Sequence, residues 1–295
     1  MRTTHHGQHL DFPTPRVHGE SAVTRYEPHH AIPWEQGAGS HPGGRQEQQD
    51  RWGLFESPDR QGLLAIVADG MGGHRDGALG AQIVIDTARS FVLNSPKLLQ
   101  SNPLAALDEL SQRMHEAINL QSEAARSTLV MVWLVSAHAY WLNVGDSRLY
   151  HFRHGHRLMR TRDHSAVQLL MDLGEIKESQ MATHPAQNRL YRCLGGEESP
   201  KADLGDFAVQ AGDVLTLCSD GVWEHITEIE FWTMTRDHGP ARAADLLAEA
   251  AAQRGGANAD NATLVLLRAG PATAESLPWL RRLSSGFAAL FNRNA

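Results

Sequence analysis

The sequence predicts an α+β domain built in layers, and the order of its apolar segments carries this prediction. Runs such as "GLLAIVAD", "GDVLTLCSD" and "NATLVLLRA" indicate buried strands. Three further strand candidates, "STLVMVWLVS", "HAYWLNV" and "SRLYHFRHG", follow one another directly. Strands that come in consecutive groups favour antiparallel hairpins over a regular series of parallel βαβ units.

Helices are predicted where apolar residues recur at three- and four-residue spacing between the strands. The segment "GALGAQIVIDTARSFVL" has this spacing, and Pro103 lies near the start of a second amphipathic segment. A short helix is predicted to end at Gly174, and another to end at the glycines after Arg254. The corresponding segments are "NPLAALDELSQRMHEAINLQSEAA", "DHSAVQLLMDLGEI" and "GPARAADLLAEAAAQRG".

Composition excludes several classes of protein. The chain has 295 residues, 41% of them hydrophobic, which suits one large domain or two small ones. The net charge is -7 and no basic run stands out, so we expect no nucleic-acid partner. The two cysteines, Cys193 and Cys218, form no CxxC pair, which argues against a disulfide framework or a structural zinc. No apolar leader or membrane span is found, and a cytoplasmic protein is expected.

Three regions are predicted along the chain. Residues 1–44 are rich in His, Pro and Gly and predict a flexible arm. Residues 45–270 carry the pattern of a folded domain, and residues 271–295 form an amphipathic tail. The tail could dock on its own domain, on a partner or on a membrane surface, and the first is favoured.

Carboxylates stand at the ends of several predicted strands. Asp69, Asp146 and Asp220 each follow a strand, whereas Asp260 precedes one, and Asp50 lies near the start of the folded region. In an antiparallel sheet such positions meet at the same edge. The competing interpretation is a set of ordinary turns, because Asp-Gly is a common turn dipeptide. The glycine-dense "DGMGG" and the polar partners in "GDSR" and "ADN" favour a site.

Converging carboxylates would need divalent cations, since like charges raise one another's pKa. All-oxygen ligands select Mg²⁺ or Mn²⁺ over zinc, and two such ions suit phosphoester hydrolysis. Gly70, which has no side chain, would let its carbonyl approach a metal. Arg45 could grip a phosphoryl group through two parallel hydrogen bonds, or be one surface arginine among many.

These residues, in this order, resemble the metal-dependent Ser/Thr protein phosphatases of the PPM (type 2C) family, specifically its bacterial branch. The resemblance runs from Arg45 to about Arg268. Each of its eight motifs alone is weak evidence for the family, but the eight together in this order are highly specific. The matching segments are "RQEQQD", "ADGMGGH", "STLV", "VGDSRLY", "TRDHS", "THPAQNRLYRCLG", "LCSDGVWE" and "ADNATLVLL".

The resemblance implies a central antiparallel β-sandwich flanked by helices on both sides, with metals at one edge. It implies that Asp69 bridges two metals, with the Gly70 carbonyl on the second. Asp220 and Asp260 would bind the first metal, and Asp50 would act through metal-bound waters. The domain at 45–270 would then be the phosphatase domain.

Further roles follow from the same resemblance. Asp146 would hold a third, weaker metal together with Asp220, and Arg45 would bind the substrate phosphate. The segment from Asp163 to Gly195 would be a mobile flap that helps to choose substrates. The enzyme would hydrolyse phosphoserine and phosphothreonine in proteins by a metal-activated water. It would act as a monomer and oppose a Ser/Thr kinase in bacterial signalling.

Two departures from the family pattern concern the details of catalysis. Gln48 replaces the family's Asn, and Met71 stands where animal members carry a His proposed as general acid. A serine alkoxide must be protonated as it leaves. His74, His184 and a metal-bound water are the candidates, whereas His164 is expected to order the flap.

Two other functions are compatible with a fold of this family. A pseudophosphatase would bind without catalysis, but such proteins typically lose a metal carboxylate, and all five are present here. A hydrolase of another phosphoester would have the same site chemistry, and only a panel of substrates would separate the two.

Overall fold

The computed structural model describes residues 32–270 of the chain, apart from the side chain of His74. The predicted tail at 271–295 and residues 1–31 of the predicted arm lie outside these described residues. In chain order the strands are β1 (Trp34–His41), β2 (Arg51–Glu56), β3 (Gly62–Ala68), β4 (Gly70–Met71), β5 (Arg126–Ser127), β6 (Leu129–Val135), β7 (His138–Val144), β8 (Arg148–Arg153), β9 (His156–Arg160), β10 (Asp203–Ala208), β11 (Val214–Cys218) and β12 (Ala262–Ala269). The helices are α1 (His74–Asn94), α2 (Pro96–Ser101), α3 (Pro103–Gln121), α4 (Ala166–Asp172), α5 (Asp220–Trp223) and α6 (Glu228–Gly255), with 3₁₀ turns at Glu178–Thr183 and Gly256–Asn258.

Two five-stranded sheets form the centre of the molecule. The first has the order β10-β7-β6-β3-β2 and the second the order β1-β12-β11-β8-β9. Every neighbouring pair in both sheets is antiparallel. β4 and β5 form a separate two-stranded ladder beside the first sheet.

The core between the sheets comes from alternate residues of their strands. Ala65 and Val67 of β3 pack with Val132 of β6 and with Leu217 and Val265 of the opposite sheet. Because side chains alternate across a strand, Leu64 and Ile66 point to the other face of the first sheet. There they pack against α1 and α3.

A third apolar layer covers the outer face of the second sheet. Leu264 and Leu266 of β12 pack there against Ala244, Leu247 and Ala251 of α6. The layers therefore run helix, sheet, sheet, helix. This confirms the predicted α+β class and the sandwich flanked by helices on both sides.

The predicted boundary of the arm at residue 44 is wrong, because β1 pairs with β12 along its whole length. Its sequence "WEQGAGSH" has almost no apolar residues. A Cβ on Gly37 would lie 2.3 Å from the Ala241 Cα, and one on Gly39 would lie 2.2 Å from the Ala244 carbonyl oxygen. The strand packs against α6 through bare backbone, so hydrophobic periodicity misses it.

The last long helix also begins earlier than the sequence indicates. The prediction covered only residues 239–255, but α6 starts at Glu228. Thr227 and Glu230 form a capping box there, which stabilises the new start. Gly239, with φ of 75°, interrupts the helical backbone just before Pro240, so the segment is two helical pieces joined at a kink. Within residues 32–270, no helix is long and apolar enough to cross a membrane.

Candidate active site

The sheet pairings bring the predicted carboxylates to one edge of the sandwich. β2 and β3 pair so that Arg51 lies opposite Ala68, which makes Asp50 and Asp69 neighbours. In the other sheet, the Ser219 amide donates to the Thr263 carbonyl oxygen at 3.0 Å. This bond continues the β11–β12 ladder to the point where one strand ends and the other begins.

A cavity of about 630 Å³ opens at this edge. Four of the five predicted carboxylates line it, together with Gly70 and Arg45. Asp50 lies behind the wall and is only 3% exposed. The lining residues are Gly44, Arg45, Gln46, Glu47, Gln49, Asp69, Gly70, Met71, Gly73, Asp146, Asn188, Leu190, Asp220, Asp260 and Asn261.

Burial and mutual repulsion make the carboxyl groups hard to ionise. Burial raises the pKa of Asp50 to about 8, and the carboxylates of Asp220 and Asp260 raise it too. Burial, followed by the charge of Asp220, lifts the pKa of Asp69 and of Asp146 well above the usual range. The pKa of Asp220 rises to about 6, again chiefly through burial and next through the charge of Asp260. Such a cluster is stable in its charged form only if cations neutralise it.

One carboxyl group of this cluster was missed by sequence reasoning. Burial raises the pKa of Glu224 to about 8, and the charges of Asp220 and Asp260 add to the effect. Glu224 follows Asp220 by four residues and caps the short helix α5. Residues four apart on a helix share a face, and this spacing could have pointed to Glu224.

Hydroxyl groups at the strand ends bond the carboxylate of Asp50 and the backbone of Asp69. The Ser219 hydroxyl donates to Asp50 Oδ2 at 2.7 Å. The Asp69 amide donates to the Thr128 hydroxyl at 3.0 Å, and the Thr128 amide donates to the Asp69 carbonyl oxygen at 2.8 Å. Asp69 is therefore fixed at the end of β3 by the strand beside it.

Gly70 lacks room for any side chain. A Cβ there would lie 1.9 Å from the carbonyl oxygen of Gly77 in the first turn of α1. The glycine therefore permits α1 to start directly against the cavity wall. This packing is a second reason for glycine, beside the close carbonyl approach to a metal that the sequence suggested.

Asp146 is held through its backbone by a buried stack. The Trp223 indole donates to the Asp146 carbonyl oxygen at 2.9 Å. The Arg148 guanidinium lies 3.5 Å from the Trp223 ring centroid and pairs with buried Asp163 at 2.6 Å. His164 is also buried, and its Nδ1 accepts from the Gly145 amide at 3.1 Å. The start of the predicted flap is thereby tied to the residue before Asp146.

Arg45 lies at the rim of the cavity and is bonded to one of the carboxylates. Its Nη2 donates to Asp260 Oδ2 at 2.7 Å, and its side chain is 56% exposed.

Gln48 stands where the family has Asn. Its side-chain Nε2 donates to Ser40 Oγ at 2.8 Å, and its Oε1 accepts from the Asp50 backbone amide at 2.9 Å. The longer side chain thus supports the backbone of Asp50.

The candidates for a general acid are placed differently. Met71 lines the cavity, but His184 is not among the lining residues. The His184 ring accepts from the Ala186 amide at 3.1 Å, so it serves the turn that follows. The side chain of His74 lies outside the described part of the structure.

The donor set fits hard divalent cations. Every candidate ligand is an oxygen, and the like charges are buried beside one another. In residues 32–270, no three His, Cys, Asp or Glu side chains already converge on one point. Several carboxylates are instead engaged by protein donors, for example Asp260 by Arg45 and Asp220 by the Gly221 amide at 2.6 Å. Cations entering the cavity would replace these donors.

Comparisons with known proteins agree with this site. The protein phosphatase 2C family model matches residues 39–253. The serine/threonine phosphatase Stp of Listeria innocua is 31% identical over 231 residues, which are 76% of this chain and 90% of that protein.

Solved structures show the same fold. The serine/threonine phosphatase of S. agalactiae has a TM-score of 0.72 at 28% identity, over 80% of this chain and 99% of that chain. The catalytic domain of the phosphatase PstP, in complex with two manganese ions, has a TM-score of 0.68 at 27% identity, over 81% of this chain and 99% of that chain. This chain belongs to the protein phosphatase 2C family.

Proposed function

We propose that this chain is a bacterial protein phosphatase that removes phosphate from phosphoserine and phosphothreonine with the help of bound divalent cations. The observation that carries the proposal is the convergence of carboxylates from distant parts of the chain on one cavity, with Arg45 at its rim. Relatives that are named serine/threonine phosphatases, such as the Listeria protein, support the substrate class.

Mg²⁺ or Mn²⁺ is the cofactor, and the two manganese ions in the PstP structure support a site with at least two ions. Asp69 and the Gly70 carbonyl would hold them together with Asp220 and Asp260. Asp50 would contribute from behind the wall, and Asp146 would serve a third, weaker ion. When bound, such cations lower the pKa of water and stabilise the charge that develops on a phosphoryl group.

Arg45 would bind the phosphate group of the substrate. Its exposed guanidinium at the rim can form two parallel hydrogen bonds with phosphoryl oxygens. Its ion pair with Asp260 would be exchanged for the phosphate once cations neutralise that carboxylate. By holding the phosphate over the cavity, Arg45 would keep it beside the attacking water, so that the two react within one bound complex.

The phosphatase domain would span the described residues 32–270, which include β1. A monomer is also proposed, because a single chain already brings four of the predicted carboxylates and Arg45 to the cavity. An opposing Ser/Thr kinase belongs to the proposal as well, since phosphoserine arises in proteins only by phosphorylation. A cytoplasmic location is part of it too, because such phosphorylation draws on ATP.

The test is phosphate release from a phosphothreonine peptide with Mn²⁺, with Mg²⁺ and with a chelator. We expect metal-dependent release by the wild type. Asp220→Asn should abolish it while the fold stays intact, because a metal ligand loses its charge. Asp206→Asn, which removes an exposed carboxylate from β10, is the matched control and should retain activity.

Three outcomes would contradict the proposal. Release that persists in the chelator would remove the metal from the mechanism. Near-wild-type turnover by a correctly folded Asp220→Asn variant would contradict the assignment of the ligands. A small-molecule phosphoester that is turned over when no phosphopeptide is would identify another substrate class.

A further inference from the structure

The loop that carries Arg45, residues 42–49, is held by the Gly44 amide, which donates to the Ala259 carbonyl oxygen at 2.9 Å, and by one buried side chain from the other end of the sequence. Asn261 is 4% exposed and lies at the start of β12. Its Nδ2 donates to the Pro42 carbonyl oxygen at 2.9 Å and to the Glu47 carbonyl oxygen at 3.0 Å. Its Oδ1 accepts from the Gln49 amide at 2.7 Å. The three bonds bracket Arg45 on both sides.

Apart from Pro42, the same loop has no apolar side chain with which to pack. Its sequence is "PGGRQEQQ", and two glycines bring its backbone against the chain before β12. A Cβ on Gly43 would lie 2.2 Å from the Asp260 carbonyl oxygen, and one on Gly44 would lie 2.1 Å from the Ala257 carbonyl oxygen. A loop attached by bare backbone depends on hydrogen bonds for its position.

The position of Arg45 depends in turn on that backbone. Its side chain is more than half exposed, and its guanidinium forms an ion pair with Asp260. Exposed ion pairs stabilise a side chain only weakly. The guanidinium is therefore placed over the cavity chiefly because the loop below it is fixed.

We propose that Asn261 is a positioning residue that fixes loop 42–49 and so holds Arg45 where the phosphate of the substrate binds. This inference rests on the proposed function of the site. Asn261 lines the cavity, but its side-chain amide is engaged with the backbone of the loop, so it acts through Arg45. Its loss should weaken substrate binding more than it slows the chemical step.

The experiment compares Asn261→Ala with the wild type on a phosphothreonine peptide in saturating Mn²⁺. We expect KM to rise about tenfold, with kcat changed less than about threefold, because misplacement of a binding group weakens substrate binding first. The Mn²⁺ concentration for half-maximal activity should stay unchanged. Ser57→Ala is the matched control, since the buried Ser57 hydroxyl similarly holds a loop by bonding Asp59 and the Gly62 amide, at the end of β2 and β3 far from the cavity. Its KM should stay at the wild-type value.

A double-mutant cycle separates positioning from general loosening of the structure. Arg45→Ala should raise KM by itself, and adding Asn261→Ala should then raise KM no further. If the double variant shows the product of the two single effects, Asn261 does not act through Arg45 and the inference fails. A shift of the Mn²⁺ dependence together with kcat would also overturn it, because the residue would then serve the metals.

A second variant keeps the test valid if Asn261→Ala does not fold. Gly44→Ala leaves Asn261 in place but forces a Cβ against the Ala257 carbonyl oxygen, which displaces the loop. It should give the same rise in KM and the same lack of effect when Arg45 is already alanine. Unchanged KM in Gly44→Ala would refute the dependence on the loop. Absence of phosphate release by the wild type would instead refute the proposed function.

Discussion

A buried ion cluster at the other end of the sandwich should set much of the acid stability of the fold. Asp213 precedes β11, and its side chain is fully buried. The His151 ring lies 2.8 Å from Asp213 Oδ2, and Arg153 donates to both carboxylate oxygens at 2.8 Å. The Gln210 amide donates as well, at 2.9 Å.

The pKa of Asp213 gives the size of the effect. Burial alone would raise it, but the hydrogen bonds from Arg153, His151 and the Gln210 amide hold the pKa at about 2, against an ordinary value of 3.8. The difference of about 1.8 corresponds to about 2.4 kcal/mol of folding free energy. Because the folded pKa is the lower one, this stabilisation is present above pH 3.8 and is lost as the pH falls towards 2.

Asp213→Asn removes the charge but keeps the shape of the side chain. We expect the free energy of unfolding at pH 7 to fall by about 2–4 kcal/mol, since Arg153 also loses its charged partner. Urea unfolding at pH 7, 5 and 3.5 would measure it. The difference from the wild type should be constant between the first two values and smaller at the third. Phosphatase activity should be retained, since Asp213 lies at the opposite end of β11 from Asp220.

The control is the exposed pair of the same two residue types. Asp206 and His138 lie 2.6 Å apart with side chains 47% and 37% exposed. Asp206→Asn should lower the free energy of unfolding by less than about 1 kcal/mol. A loss of stability in Asp213→Asn no larger than in this control would refute the argument. So would a difference from the wild type that does not shrink as the pH falls.

Three further predictions follow from the packing. Deleting residues 1–31 should leave turnover unchanged, whereas deleting residues 1–41 removes β1 and should abolish folding, as circular dichroism and activity would report. Gly70→Ala should inactivate the enzyme and lower its melting temperature, because its Cβ would overlap the first turn of α1. Arg148→Met should lower the free energy of unfolding by about 3–5 kcal/mol, measured in urea, because it leaves Asp163 buried without its main partner. Wild-type behaviour of either point variant, or of the longer deletion, would contradict the corresponding contact.

The positions of the carboxylates could be predicted because they follow from local patterns. Asp69 and Asp220 end apolar runs, and Asp260 begins one. An antiparallel arrangement is enough to bring such ends together. The structure places Asp69, Asp146, Asp220 and Asp260 on one cavity, as that reasoning requires.

The features that were missed depend on contacts between distant segments. β1 was assigned to the arm because its sequence shows no hydrophobic pattern. Its glycines pack on α6, and only the folded molecule shows why glycine is needed there. Asn261 was read only as a polar neighbour of Asp260. Its three bonds reach a loop more than 200 residues earlier in the chain, and no local pattern reports them.

The two sheets explain why the site needs the whole domain. Asp50, Asp69 and Asp146 stand at the ends of β2, β3 and β7 in the first sheet. Asp220 and Asp260 stand at the ends of β11 and β12 in the second. Neither sheet alone supplies all five carboxylates of the site. The apolar residues between the sheets therefore do more than stabilise the fold. They hold two sets of like charges together against their repulsion, which is the condition for a site that takes up divalent cations.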